Sequence, residues 1–308
     1  MIYIRNLQEN LKLFEALASP IRLQIIEMLH NGNEMNINEI SKRLNLTNSA
    51  LTMHIQKLSA CGLIRVQLSS KTRGMQKICS LTEDKLLIEL VDKSNSEAFY
   101  ETELDVGQYA EYSINPTCGL GNVYGQIGDF DSMQVFSFPE RFGAQLVWYT
   151  DGFVTYRFPN MLLSNQTPKE LQFSLELAGE APGGVANFPS DITFRINKKI
   201  VGVYNCPGEM VDRRGRFTPD WWPSTFGQYG KMKLLSITQE GTFLDGFYAS
   251  DVTINDLELE KQESLAFTID CRSQSKNNGG VTLFGTQFGD YNQGIKCRLF
   301  YMENKKNG

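Results

Sequence analysis

Histidine is almost missing from this chain. Of 308 residues only His30 and His54 are histidine, and both fall within the first 60. Beyond residue 54 a Ser-His-Asp triad and a histidine-liganded metal centre are therefore excluded. Cysteine is present but unpatterned: Cys61, Cys79, Cys118, Cys206, Cys271 and Cys297 form no CxxC pair and read as buried thiols rather than a disulfide scaffold. No apolar run approaches the roughly 18–20 residues that cross a bilayer. The opening MIYIRNLQENLK lacks a basic start, a continuous apolar stretch and a small-residue cleavage site. The expectation is a cytoplasmic protein with no membrane partner, no metal and no cofactor.

What is present describes an ordinary globular chain, 41% hydrophobic and 21% charged, of a length that favours two domains. The charge is unevenly divided. Residues 1–95 hold 12 Lys plus Arg against 9 Asp plus Glu, a net of +3; the whole chain is −5, so the remainder carries −8. A basic head on an acidic body suits nucleic-acid binding by the head.

The head reads as short helices in succession. Leu7, Leu11, Phe14 and Leu17 recur at helical spacing, and Ser19-Pro20 supplies an N-cap followed by proline at the first helical position. Ile21, Ile25, Ile26 and Leu29 give the second helix its buried face, and Asn31-Gly32 ends it. A third helix runs from about Asn38 to Leu44, burying Ile40 and Leu44; after a tight turn at Asn45-Leu46, Thr47 caps a fourth, about 48–60, with Leu51, Ile55 and Leu58 inward. Two short helices joined by so short a turn make a helix-turn-helix. Two β-rich segments, Leu63 to Leu68 and Gln76 to Leu81, flank the polar tip Ser69 to Gly74 and predict a hairpin wing. Glu83 to Tyr100, with Leu86, Leu87, Leu90 and Val91, predicts a further helix, a dimer contact or a strut to the next domain.

The run Leu17 to Ile26 (LASPIRLQII) resembles the opening of ArsR-type winged-helix regulators. Leu46 to Leu58 (LTNSALTMHIQKL), with Ala60 to Ile64, resembles their recognition helix and first wing strand. The resemblance covers about residues 5–92 and implies operator DNA as a partner, usually met by a homodimer. The residues agree: with Leu51, Ile55 and Leu58 inward, Ser49, Thr52, Met53 and Gln56 point outward at about 100° per residue, and with Asn48 they are the side chains able to reach base edges. Lys42, Arg43 and Lys57 are placed to meet phosphates, and Lys71 and Arg73 of the wing an adjacent backbone or minor groove. Met53 stands where the family often has arginine. His54 matches a family histidine and is read either as a phosphate contact or as partly buried against the wing. Many relatives sense metals through cysteines on the helix before the turn; this one has none there.

From residue 101 the pattern changes to short β-rich segments between Gly, Pro and Asn turns. Strands are expected over Gln145 to Tyr149, Phe153 to Phe158, Leu171 to Leu177, Ile192 to Ile196, Ile200 to Tyr204, Lys233 to Ile237, Leu265 to Cys271, Val281 to Phe284 and Ile295 to Tyr301, with a hairpin turn at Arg195 to Lys199. Asn115 to Met133 is glycine-rich and read as irregular, its glycines as turn residues. Residues 207–230 separate two strands with no clear element and concentrate Asp212, Arg213, Arg214, Arg216 and Asp220 beside Trp221, Trp222, Phe226 and Tyr229. Two readings fit. Aromatic faces with Arg and Asp suit a sugar-like effector; equally, the tryptophans plug an open end of the sandwich while the arginines pair with the carboxylates. Tyr291-Asn292-Gln293 is similar to a motif of some jelly-roll polysaccharide lyases, too short to support an enzyme.

The architecture expected is multidomain α+β: a winged helix-turn-helix over 1–82, a linking or dimerising helix over 83–100, and an all-β, jelly-roll-like sandwich over 101–308. The function expected is a one-component transcription regulator, not an enzyme, whose sandwich senses a carbohydrate or related polar metabolite. Two alternatives stand beside it: a glycan-processing enzyme with a DNA-binding head, and a sandwich used only for oligomerisation or protein contact.

Overall fold

A computed structural model describes residues 2–4, 7–30, 33–69, 76–82, 86–88, 98–182, 189–208, 211, 213–272 and 276–304. The chain divides into two compact units, residues 1–96 and 97–308.

The first unit runs β1 (Ile2–Ile4), α1 (Leu11–Leu17), α2 (Pro20–Met28), β2 (Met35–Asn36), α3 (Ile37–Leu44), α4 (Asn48–Ala60), β3 (Ile64–Ser69), β4 (Gln76–Leu81) and β5 (Leu86–Ile88). Its core gathers one stripe from each helix: Leu13 and Ala16 of α1, Ile25 of α2, Ile40 of α3, and Leu51, Ile55 and Leu58 of α4, with Cys79 from the wing. Leu11, which shares the helical spacing of Leu7, Phe14 and Leu17, is exposed, because α1 turns Leu13 and Ala16 to the core. Ser19 occupies the extended N-cap position of α2 with Pro20 behind it, but its side chain makes no capping bond. β3 and β4 pair antiparallel from Ile64↔Leu81 to Ser69↔Gln76, and β2 adds to β4.

The helix expected over 83–100 is not what the described residues there form. Leu86–Ile88 is a strand, parallel to β1, and Ala98 to Tyr100 open the first strand of the second unit. A short apolar run such as Leu86-Leu87-Ile88 fits either repeat, and here pairing with the β-branched Ile2 and Ile4 decides it.

The second unit is all-β: β6 (Ala98–Leu104), β7 (Glu111–Asn122), β8 (Gly125–Ile127), β9 (Leu146–Pro159), β10 (Gln166–Ala178), β11 (Ser190–Ile196), β12 (Lys199–Cys206), β13 (Lys231–Ile237), β14 (Thr242–Leu244), β15 (Phe247–Ser250), β16 (Ser264–Cys271), β17 (Val281–Phe284) and β18 (Ile295–Glu303). One layer is β8-β7-β9-β16-β11-β12, the other β6-β18-β10-β13-β14-β15. β17 pairs with both β9 and β10 and stitches the layers into a single barrel-like sandwich. Between them lies the core, where Phe173 of β10 stacks on Phe267 of β16 at 4.2 Å and meets Phe158 of β9 at 5.4 Å between centroids. The β11–β12 turn expected from the sequence is Asn197-Lys198, both left-handed at φ 47° and 74°.

Two expected strands, Gln145 to Tyr149 and Phe153 to Phe158, are the halves of β9, which changes partner from β17 to β16 about Gly152. Gly152 has φ 128°, and a Cβ there would lie 2.0 Å from the Ser113 carbonyl oxygen. The stretch Asn115 to Met133, expected to be irregular, instead contains most of β7 and the β7–β8 hairpin. Two of its glycines serve close packing, since a Cβ on Gly119 would lie 2.1 Å from the Trp148 ring and one on Gly121 3.3 Å from Trp221, while Gly125 in the hairpin and Gly128 at φ 66° are turn residues as expected.

Candidate nucleic-acid interface

Local chemistry sets α3 and α4 firmly at the turn. The Asn36 side chain accepts from Glu39 N–H while Glu39 accepts from Asn36 N–H, both at 2.9 Å, a reciprocal capping box. At the other end Asn45 takes the left-handed conformation at φ 51°, and Ser41 Oγ donates to Leu46 O at 2.6 Å. Thr47 then caps α4 by accepting from Ala50 N–H at 3.2 Å. With both helix ends satisfied, the α3–α4 angle rests on hydrogen bonds as well as on the packing of Ile40, Leu51 and Ile55.

Burying Leu51, Ile55 and Leu58 leaves Asn48, Ser49, Met53, Gln56 and Lys57 exposed and Thr52 half-buried. Asn48 Nδ2 donates to Asn38 Oδ1 at 2.8 Å, tying the start of α4 to α3, and Thr52 Oγ1 donates back to Asn48 O at 2.7 Å. Lys42 and Arg43 are exposed on the last turn of α3. A groove of about 390 Å³ separates Thr52, Gln56 and Ser59 of α4 from Val66 and Lys77 of the wing strands, so the polar face of α4 and a wing cation border one concavity. Lys71 and Arg73 lie outside the described residues.

Two residues of this unit have roles that periodicity does not show. Arg22 is buried; its Nε donates to Ala16 O at 2.6 Å and its Nη2 to Glu15 O at 2.7 Å, capping the exposed carbonyls at the end of α1. His54 is half-buried, with Nδ1 buried and unbonded among the described residues. Desolvation, with Arg22 and Lys57 nearby, holds its pKa below the ordinary histidine value. A neutral ring suits the reading of partial burial better than that of a phosphate contact.

The second nominated surface, residues 207–230, is organised differently; Asp212 lies outside the described residues. Trp222 is 3% exposed and packs with Trp148, Phe284 and Phe288 in a second small core on the outer side of β9 and β17. Its Nε1 donates to Gly227 O at 2.9 Å, and that of the half-buried Trp221 to Asn122 O at 3.0 Å. Arg213 makes a buried bidentate pair with Asp290 and stacks 3.7 Å over the Tyr229 ring. Arg214 donates to Thr218 O and Pro219 O and pairs with the exposed Asp220 at 3.1 Å. Arg216 is exposed. Of the two readings offered by composition, these contacts of the described residues follow the packing one, with Asp290 a partner of Arg213 that lies far from it in sequence.

Beneath the loop sits Glu176, fully buried. Its carboxylate accepts from the N–H groups of Gly230, Asp290 and Tyr291, each at 2.8 Å. Desolvation outweighs those three bonds and pushes its pKa up to about 8. Tyr291-Asn292-Gln293 belongs to the same anchoring turn: Asn292 Oδ1 accepts from Gln287 N–H, and Gln293 Nε2 donates to Ser174. All six cysteines are free, and burial pushes the Cys79, Cys118 and Cys206 thiols up to about 11. Among the described residues no three His, Cys, Asp or Glu side chains cluster as a metal site, and no helix is long and apolar enough to cross a membrane.

Comparison with known proteins addresses the first unit. Residues 19–66 match the family described as "Bacterial regulatory protein, arsR family". The transcriptional activator HlyU of Vibrio cholerae serotype O1 is 36% identical over 89 residues, covering 29% of this chain and 80% of that protein. Solved structures of reduced HlyU from Vibrio cholerae N16961 and of HlyU from Vibrio vulnificus CMCP6 align at 33% and 30% identity, over 24% and 25% of this chain and 72% and 75% of theirs. Their TM-scores are 0.21 and 0.22, so the relationship rests on sequence identity and not on superposition. By its helix-turn-helix and the residues around it, the chain belongs to the arsR family of bacterial regulatory proteins.

Proposed function

We propose that this protein is a DNA-binding transcription regulator in which α4 enters the major groove of an operator and the all-β unit receives a small polar effector. Asn48, Ser49, Thr52, Met53 and Gln56 face the base edges, Lys42, Arg43 and Lys57 the phosphates, and the wing with Lys71 and Arg73 the neighbouring backbone. Two chains act together, since paired recognition helices one helical turn apart read enough sequence to select an operator. One observation carries the reading: in a helix capped at Thr47 and anchored by three buried side chains, the outward polar face is left exposed beside basic residues. The capping box of α3 and the Asn38–Asn48 bond fix where that face begins relative to α3.

The test is a gel-shift titration of the full chain on an operator selected from a random-sequence duplex pool. Ser49→Glu and Thr52→Glu place a carboxylate against the groove and are expected to lower operator affinity at least tenfold each, while the circular dichroism stays unchanged. Lys57→Ala is expected to weaken all duplexes alike and to reduce the salt slope by about 1. Unaltered affinity in all three variants contradicts the assignment of α4 to the groove.

A further inference from the structure

On the outer face of the layer β7-β9-β16-β11 the alternation of the strands produces a groove of about 490 Å³. The register explains its shape. Glu111, Thr155, Thr268 and Arg195 fall on one line across four strands, since Glu111 pairs with Thr155, Thr155 with Thr268 and Thr268 with Arg195. Small side chains in the middle of that line leave a trough, and long ones at its ends raise the walls. The floor carries two hydroxyls, Thr155 Oγ1 and Thr268 Oγ1, bonded to each other at 2.8 Å.

The wall on the β11 side is a prepared cationic site. Asp270, 3% exposed, accepts from Arg195 Nε at 3.1 Å on one oxygen and from Arg272 Nε at 2.9 Å on the other. Among the described residues each guanidinium is held by Nε and keeps its two terminal nitrogens for another acceptor. Arg272 also lies 5.6 Å over the Phe153 ring, which limits its freedom further. Lys198, exposed in the β11–β12 turn, lines the same wall and has no ion pair among the described residues. At the opposite wall Arg157 pairs with Glu111 at 2.6 Å, a neutral arrangement of donors and acceptors. The groove therefore holds two positive charges in excess, Arg157, Arg195, Lys198 and Arg272 against Glu111 and Asp270, within a unit whose net charge is −8.

We propose that this groove binds a small phosphorylated polyol of the sugar-phosphate class, its phosphate on Arg195, Arg272 and Lys198 and its hydroxyls on Thr155, Thr268 and the Arg157–Glu111 pair. The two ends differ in what they recognise. A dianion matches the excess of two charges and the outward forks of two arginines. Hydroxyls, which both donate and accept, match threonines and a neutral ion pair. The volume falls within the range of small-molecule sites, roughly 300–1,000 Å³. The site gives a location and a chemical class to the effector proposed above, and rests on that proposal for its consequence, not for its binding.

All three tryptophans lie in the second unit, so tryptophan fluorescence of the full chain reports its melting alone. Melting is followed against glucose 6-phosphate, with glucose and inorganic sulfate as comparators. The expected result is a saturable rise in Tm with glucose 6-phosphate, at least tenfold weaker with either comparator. Arg195→Ala and Lys198→Glu should each lower that affinity roughly tenfold or more; Lys198→Glu should leave the Tm of the unliganded protein unchanged, whereas Arg195→Ala, which strips the buried Asp270 of one partner, should lower it. No saturable response, or one that both variants leave intact, overturns the site. So does an outcome in which both variants weaken duplex binding while glucose 6-phosphate does not bind, which would make the groove a contact for nucleic-acid backbone. Binding of glucose 6-phosphate without any change in operator affinity supports the site and contradicts the effector role of the second unit.

Discussion

Two stretches of this chain have similar credentials as binding surfaces in the sequence, and the fold treats them in opposite ways. The outward face of α4 and the loop 207–230 are both polar and flanked by basic residues. On α4 the fixed scaffold lies underneath: three buried aliphatic side chains and a threonine cap set the helix, and Ser49, Met53, Gln56 and Lys57 are left facing outward. In the loop the polar groups themselves are the scaffold. Arg213 is engaged by Asp290, Arg214 by backbone carbonyls, and both indole N–H groups by carbonyl oxygens. An irregular segment has no ladder to satisfy its backbone, so its side chains must do it. A helix satisfies its own backbone and leaves its side chains free for a partner.

That contrast breaks most visibly at Trp222. If the loop is scaffold, Trp222→Ala should cost roughly 3–5 kcal/mol of second-unit stability, as truncation of a buried aromatic does. Urea unfolding followed by the remaining tryptophans measures it. A loss below about 1 kcal/mol, within the range of ordinary surface substitutions, would return the loop to the pool of candidate binding surfaces.

A smaller effect sharpens the same contrast through pH. Glu176 fastens the loop to β10, and its pKa is raised from the ordinary 4.5 to about 8 by desolvation. A raised folded-state pKa means that the folded unit holds its proton longer than the unfolded chain. The stability associated with it is fully present below about 4.5 and is lost as pH rises through about 8. The urea midpoint of the second unit should therefore fall across that window, and Glu176→Gln should flatten the slope. A variant with the same slope as the wild type would show that the pH response arises elsewhere.

The sequence makes the winged helix legible because its signals are local. The Thr47 cap, Pro20 at a helix start and the Leu51–Ile55–Leu58 stripe each lie within a few residues of what they determine. The strands of the second unit are legible for a related reason: alternation such as Ile192, Phe194 and Ile196 inward against Thr193 and Arg195 outward repeats over two residues. What is not legible depends on distant partners. Leu86–Ile88 becomes a strand because Ile2–Ile4 is there to pair with it. Gly119 and Gly121 read as turn residues until the rings of Trp148 and Trp221 are seen lying on them. An aromatic, arginine-rich loop reads equally as pocket or plug until Asp290, Asn122 and Glu176 arrive from other parts of the chain. The cationic groove has the same character, since Arg157, Arg195 and Arg272 come from β9, from β11 and from just beyond β16, and only the register sets them together.

The difference between the two surfaces is tested most directly by hydrogen–deuterium exchange of the full chain with and without its selected operator duplex. Added protection is predicted over residues 41–57, at the end of α3 and along α4, with none over 213–230, where the hydrogen bonds are already internal. Protection of 213–230 by DNA, with α4 exchanging as in the free protein, would contradict the account.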